Sequence, residues 1–211
     1  MELKYKILYA VLIVGVFVAF HALLYVLVKK RLYGAYDFKE LRNIQALTEK
    51  NKKVNQMSFE KVKNHLAAFG LQDRAKELSV SSATVEEAAA ALGCEPCCIA
   101  KSMSFYRGSS AIIVVMAGDV KTDNPKFKAA FGCKPSMLKG DDIEKFTGYR
   151  PGGVCPFANP EGTQVYLDES LKRFDVVYPA AGTASSAVRL TLDELEKASA
   201  SQGWVDVSKP Y

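Results

Sequence analysis

Histidine is scarce in this sequence, whose 211 residues include only His21 and His65. His21 lies inside an apolar run, and His65 lies on a predicted helix, where a structural role is the simpler interpretation. The sequence also lacks a Walker loop, a dinucleotide-binding glycine fingerprint and a Ser-His-Asp signature. These absences exclude the common nucleotide-binding motifs and any mechanism that uses His as the general base.

An excess of positive charge is also missing from most of the chain. The net charge is +5, but residues 1–56 hold ten Lys/Arg and four Asp/Glu, whereas residues 57–211 hold eighteen and nineteen. The larger segment therefore carries −1, which excludes the broad positive field of proteins that bind long nucleic acids. A short nucleic-acid end remains a compatible partner. The apolar content of 49% excludes a disordered chain.

Residues 7–28 form one long run without a formal charge. A helix of 22 residues spans about 33 Å, enough for the hydrocarbon core of a bilayer. The cationic cluster 29–31 follows at once and places the rest of the chain on the cytoplasmic side. The run predicts a transmembrane helix at about residues 7–28. A cleaved signal peptide and a buried helix fit its length and composition less well.

Composition and apolar periodicity divide the chain into a predicted N-terminal membrane anchor (1–33), a polar juxtamembrane linker (34–56) and a domain of alternating helix and strand patterns (57–211). Met57 also resembles a natural protein start, so residues 1–56 are either a native extension or the result of a start site assigned too early. We expect a membrane-anchored protein with a cytoplasmic domain if residues 1–56 are translated, and a cytoplasmic protein otherwise.

The five cysteines are odd in number and scattered, which favours free thiols in a reducing compartment. The cluster Cys94, Cys97 and Cys98 suggests zinc, but a structural zinc site needs two close ligand pairs and only one is present. We therefore expect no metal site. Cys155 lies in a glycine-rich loop, but no partner base for a nucleophilic thiol is identifiable.

Capping residues and terminal glycines predict short helices between short strands. The predicted helices start at Ser58, Thr84, Asp123, Asp141 and Thr191, with a helical turn at Pro96. The predicted strands are 103–106, 111–116, 164–167, 176–178, 187–190 and 204–207. This interleaving lacks regular βαβ spacing and indicates the α/β class with a mixed sheet.

Two segments contain candidate residues for catalysis or ligand binding. Lys101 lies between a helix end and an apolar strand, where lysines are often only solvated. The loop 148–157 contains Gly152 and Gly153 between prolines, and such glycines leave backbone N–H groups free to bind an oxyanion. A purely structural turn is the alternative interpretation of this loop.

From about residue 58 to residue 209 the chain resembles the YbaK/EbsC family, the aminoacyl-tRNA editing domains related to the insertion domain of prolyl-tRNA synthetase. The matching stretches are Ser82-Ala-Thr-Val-Glu-Glu-Ala-Ala, Ala91-Leu-Gly-Cys-Glu-Pro, Ile99-Ala-Lys-Ser, Ala117-Gly-Asp, Thr147-Gly-Tyr, Gly152-Gly-Val-Cys-Pro-Phe and Tyr178-Pro-Ala-Ala-Gly. Each stretch is weak alone, but their order and spacing are specific. The resemblance implies a mixed, partly barrel-like sheet flanked by helices.

The resemblance also implies an aminoacyl-tRNA deacylase that needs no cofactor. Its invariant lysine matches Lys101, and its GxxxP loop matches residues 152–156; Ser102 replaces the usual Thr. The catalytic residues it implies are Lys101, Gly152 and Gly153. The substrate-binding residues it implies are Ser102, Asp119, Gly148, Pro156 and Gly182.

Two functional hypotheses follow. In the first, a monomeric catalytic domain edits in trans by hydrolysing the ester of a mischarged tRNA, above all tRNA(Pro) carrying Cys or Ala. Its partners are the 3′ end of aminoacyl-tRNA and prolyl-tRNA synthetase. In the second, the chain is a membrane-tethered tRNA or nucleotide-binding module that keeps the fold but does not hydrolyse.

Overall fold

The computed structural model of the chain describes Tyr25 and residues 38–211. Its compact units divide between Asn51 and Lys52. In the first unit, residues 38–51 are helical, and the side chains from residue 42 onward are exposed. The second unit, residues 52–211, contains the sheets, the core and the candidate site.

The first described helix, α1 (Phe38–Ala67), corrects the predicted start at Ser58. Ser58 lies inside this helix and does not cap it, because residues 38–57 contain neither Pro nor Gly and are rich in helix-forming Lys, Glu, Gln and Leu. One apolar face of this helix is buried at Phe59, Val62 and Leu66, whereas Phe69, beyond the helix end, is exposed.

The predicted fold class is wrong in including a transmembrane helix at about residues 7–28. Among the described residues, no helix is long and apolar enough to cross a membrane. The long helix α1 is charged along its length, which is incompatible with a hydrocarbon environment. Residues 7–28 themselves, Tyr25 excepted, lie outside the described residues.

The core of the second unit is a mixed sheet curled into a half-barrel and flanked by helices. Its strands, in their order across the sheet, are β8 (Leu190–Thr191), β6 (Val176–Pro179), β2 (Ile99–Arg107), β3 (Ser110–Ala117), β5 (Gln164–Asp168) and β9 (Trp204–Val205). Strands β2 and β3 form a central antiparallel hairpin, while β6 pairs with β2, and β5 with β3, in parallel. Residues 111–117 of β3 are buried throughout, as expected of a central strand covered on both faces.

Two small sheets lie beside the main sheet. Strand β1 (Ala75–Glu77) pairs with β7 (Ser186–Val188), and β4 (Val120–Thr122) pairs with β10 (Ser208–Pro210), both antiparallel. The predicted strand 187–190 is therefore two short strands, β7 and β8, which belong to different sheets. The predicted strand 204–207 is shorter, because only Trp204–Val205 pairs.

Three of the four remaining described helices have the side-chain caps that the sequence predicts, whereas the helix that begins at Asp141 has Gly140 at its N-cap and no side-chain cap. The four helices are α2 (Val85–Leu92), α3 (Asn124–Phe131), α4 (Asp141–Thr147) and α5 (Leu192–Ser199). The side chains of Thr84, Asp123 and Thr191 accept hydrogen bonds from backbone N–H groups in the first turns of α2, α3 and α5. Pro96 begins a 3-10 turn, Pro96–Cys98, that leads directly into β2. These caps were predictable because each depends on residues three positions apart.

Candidate active site

A cavity of about 410 Å³ lies over the N-terminal half of β2. Five segments surround it: the start of α2, strand β2, the segment 137–143, the loop 151–154, and the residues around β6 and β7. The apolar side chains among its walls include those of Val85, Ile99, Met103, Met137, Leu138, Ile143 and Val154. Among the described residues that line it, none is His, Cys, Asp or Glu. The cavity is therefore a mainly apolar site in the size range of small-molecule pockets.

Lys101 lines this cavity from β2. Its ammonium donates to the carbonyl oxygen of Gly118 at 3.2 Å, to the carbonyl oxygen of Val120, and to the hydroxyl of Tyr211 at 3.1 Å. An ammonium has three donors, so all three are directed at neutral oxygens of the protein. The position of the charge is thereby fixed, and the charge itself is not neutralised by these neutral partners.

The turn that holds Lys101 depends on a close backbone approach. A Cβ at Gly118 would lie 2.0 Å from the carbonyl oxygen of Pro96, so no other residue fits without moving the backbone. Gly118 thus packs the turn between β3 and β4 against the 3-10 turn at Pro96. This contact brings the carbonyl groups of residues 118 and 120 to the lysine that follows that 3-10 turn.

Gly152 also lines the cavity, from the loop between α4 and β5. Its φ of +84° lies in the left-handed region that favours glycine. Within the part of the chain that the structure describes, the N–H groups of Gly152 and Val154 have no protein acceptor. Both residues line the cavity. These two N–H groups are therefore candidate donors for a ligand oxygen.

Gly153, by contrast, does not line the cavity, and its N–H donates to the carbonyl oxygen of Arg150 at 3.0 Å. A Cβ at Gly153 would lie 2.7 Å from the carbonyl oxygen of Gly182 and 2.8 Å from the Cα of Thr183. This glycine therefore permits close packing of two backbone segments. The second glycine of the loop supports the position of the first, and Val154 supplies the other free N–H.

Ser102 is the other predicted site residue in the cavity wall. Its hydroxyl oxygen is buried and has no hydrogen-bond partner among the described residues. Leaving a buried hydroxyl unpaired costs about 1–3 kcal/mol, so such an atom is a candidate contact for a bound ligand. The structure thus brings Lys101, Ser102 and Gly152 together around one cavity.

The other predicted substrate-binding residues lie outside the cavity lining. The carboxylate of Asp119 binds the guanidinium of Arg173 through two hydrogen bonds of 2.9 and 2.5 Å, and this ion pair lowers the pKa of Asp119. Gly148 closes helix α4, Pro156 is buried, and a Cβ at Gly182 would lie 2.8 Å from the carbonyl oxygen of Ser58. These residues shape the surroundings of the site.

The cysteines are all free thiols. Cys155, in the loop 148–157, is fully buried, and burial raises its pKa to about 12, so its thiolate is not available at neutral pH. In the described part of the chain, no three His, Cys, Asp or Glu side chains are grouped to hold a metal ion. His65 is half-buried, and its Nε2 donates to the carbonyl oxygen of Ala198 at 2.7 Å.

Sequence reasoning missed one wall of the cavity, formed by Met137, Leu138 and Ile143. These residues reach the site because Met137 forms a β-bridge with Phe105, and the N–H of Leu138 donates to the carbonyl oxygen of Ser104. No local sequence pattern predicts this contact between a loop and a distant strand. The hydrophobicity of the three residues was the only available signal.

A family model described as the aminoacyl-tRNA editing domain matches residues 80–198. The uncharacterized protein YwhH of Bacillus subtilis (strain 168) is 44% identical over 156 residues, which cover 74% of this chain and 99% of that protein. A proline–tRNA ligase of Limosilactobacillus fermentum is 30% identical over 103 residues, which cover 46% of this chain and 18% of the ligase.

Among solved structures, one described as a candidate trans-editing enzyme for prolyl-tRNA synthetase superposes with a TM-score of 0.66. It is 29% identical, and the match covers 72% of this chain and 97% of that chain. The match to the family model includes Lys101, Ser102 and the loop around Gly152.

Proposed function

The chain belongs to the aminoacyl-tRNA editing domain family, and on that premise we propose that it is a deacylase that hydrolyses the ester of a mischarged tRNA in trans. The observation that carries this proposal is the cavity itself, which joins the fixed charge of Lys101 to the free N–H groups of Gly152 and Val154. We infer tRNA(Pro) carrying Cys or Ala as the substrate. The names of two similar proteins, a proline–tRNA ligase and a candidate trans-editing enzyme for prolyl-tRNA synthetase, support the choice of tRNA(Pro) and do not bear on the amino acid.

The proposed chemistry does not need a strong protein base. An aminoacyl ester is already activated, so the site can gain rate by orienting a water, the ribose 2′-hydroxyl or the substrate side chain toward the ester carbonyl. The N–H groups of Gly152 and Val154 would donate to the oxygen as negative charge develops on it. This assignment agrees with the cavity walls, in which no His, Asp or Glu is found among the described residues.

Lys101 would stabilise the phosphate or ribose next to the ester through its charge. Because its three donors are already directed at protein oxygens, we assign it an electrostatic role at a fixed position. The only one of these oxygens that belongs to a side chain is the hydroxyl of Tyr211, and a ligand oxygen could share or replace that contact. The unpaired hydroxyl of Ser102 would bind a polar atom of the aminoacyl group.

The apolar walls suit a small aminoacyl side chain. Met103, Met137 and Ile143 present flexible or branched hydrophobic surface, and a methylene in such a pocket is worth about 1–3 kcal/mol of discrimination. We place the activity in the cytoplasm, where charged tRNA is found and where free cysteines persist.

The test is deacylation by the full chain of tRNA(Pro) charged separately with Cys, Ala and Pro, with release of labelled amino acid followed over time. Hydrolysis without protein gives the background rate for each ester. We expect release of Cys or Ala well above background and slower release of Pro. Binding of charged tRNA without accelerated release of any amino acid would contradict the proposal and identify a binding module.

A further inference from the structure

Tyr211 is a large aromatic side chain left 78% exposed beside the candidate site. It directly follows β10, whose residue Pro210 pairs with Val120 of β4. That pairing holds Tyr211 against the same turn whose carbonyl groups accept hydrogen bonds from Lys101. Tyr211 does not line the cavity, but its hydroxyl accepts a hydrogen bond from Lys101, which does.

Two ammonium groups lie against this ring. The Nζ of Lys101 is 4.9 Å from the ring centroid, and the Nζ of Lys121 is 5.6 Å from it. Within the described residues, neither ammonium has a carboxylate at ion-pair distance. The nearby carboxylate of Asp119 is already paired with Arg173. Both positive charges therefore lie close to the ring, and no direct ion pair neutralises them.

We propose that Tyr211, Lys101 and Lys121 form a subsite for the terminal nucleotide of a single-stranded RNA 3′ end. The base stacks on the exposed ring, and its phosphate lies near the two ammonium groups. This combination of an aromatic face and unneutralised cations fits a nucleotide, which has both a π-face and a negative charge. An acidic peptide would use the charges but leave the ring exposed. The inference rests on the proposed function, because it places the RNA end next to the ester-binding cavity.

The experiment measures binding and does not depend on hydrolysis. The probes are an uncharged RNA minihelix with a single-stranded CCA 3′ end and the same minihelix with an abasic 3′-terminal nucleotide. Each is titrated into the full-length wild type and into the variants Tyr211→Ala and Tyr211→Phe. Phe69→Ala is the matched control, because Phe69 is another exposed ring (43%) that does not line the cavity.

Wild type should bind the abasic probe about tenfold more weakly than the intact probe, the expected effect of losing one base–aromatic stack. Tyr211→Ala should remove this preference, whereas Tyr211→Phe and Phe69→Ala should keep it. Lys121→Met should weaken both probes equally and reduce the salt dependence of binding, as expected of a phosphate contact.

The subsite is overturned if Tyr211→Ala keeps the preference, if wild type shows none, or if Tyr211→Phe loses it as completely as Tyr211→Ala. The last result would assign Tyr211 to holding Lys101 through its hydroxyl. A protein that binds the probes as expected but releases no amino acid refutes the deacylase alone, and one that deacylates without any preference refutes the subsite alone.

Discussion

Replacing Gly152 with Ala is the sharpest test of the proposed oxyanion donor. At φ +84° any L side chain is strained, at a cost of about 1–2 kcal/mol. The new Cβ would also lie 3.0 Å from the Cβ of Ala184 and 3.4 Å from that of Ala83. The first contact is too tight, so the loop must move by a few tenths of an ångström and carry the N–H of residue 152 with it.

The chain offers a matched control at Gly162. Its φ is +89°, and nothing lies within 4 Å of a Cβ placed there, so Gly162→Ala has the same backbone strain without the contact. Both variants should lose about 1–2 kcal/mol of stability, or roughly 2–8 °C in Tm for a chain of this length. Only Gly152→Ala should lose activity, by up to about 10²-fold in kcat/KM, the cost of losing one oxyanion donor outright.

The measurements are kcat/KM for deacylation of Cys-tRNA(Pro) and thermal unfolding of wild type and both variants. Equal losses of activity in the two variants would mean that backbone strain, and not the contact made by the new Cβ at residue 152, causes the effect. A Gly152→Ala protein that folds and hydrolyses at the wild-type rate would refute the assignment of this loop. Gly153→Ala is unsuitable as a control, because its Cβ meets backbone atoms at 2.7 and 2.8 Å.

The parts of the fold that were predictable from sequence depend on neighbours along the chain. The caps at Thr84, Asp123 and Thr191 each require one side-chain oxygen and an N–H three residues away, so a short stretch of sequence contains the whole interaction. The start of α1 was mispredicted for the opposite reason. Ser58 has the chemistry of a cap, but the residues before it already favour a helix and nothing among them ends it.

The parts of the site that were not predictable depend on contacts between distant segments. The sequence Gly152-Gly153 presents two similar glycines, and only the fold shows that Gly152 lines the cavity while the N–H of Gly153 closes a turn with Arg150. Likewise, no pattern around Lys101 indicates that its ammonium meets the carbonyl of Val120 and the ring of Tyr211. The residue types alone identified Lys101 and the two glycines as candidate site residues, whereas tertiary packing determines which of their N–H groups lack a partner within the protein.

Two further variants test whether the charge of Lys101 and the thiol of Cys155 take part in the reaction or only stabilise the fold. Lys101→Met should lower kcat/KM on Cys-tRNA(Pro) roughly 10- to 100-fold, the value of a charge-assisted contact. It should also lower Tm by a few degrees, because the carbonyls of Gly118 and Val120 lose their donor. Full activity in the folded variant would show that the role of Lys101 is purely structural. Cys155→Ala should keep most of the activity and lose about 1 kcal/mol of stability, because it removes one buried sulfur atom. Burial raises the pKa of Cys155 to about 12, so almost no thiolate exists at pH 7–8, and raising the pH toward 9 should not increase the rate through this group. The assay is the pH profile of kcat for wild type and Cys155→Ala, and a complete loss of activity in a folded Cys155→Ala protein would establish covalent catalysis by this thiol and refute the proposed mechanism.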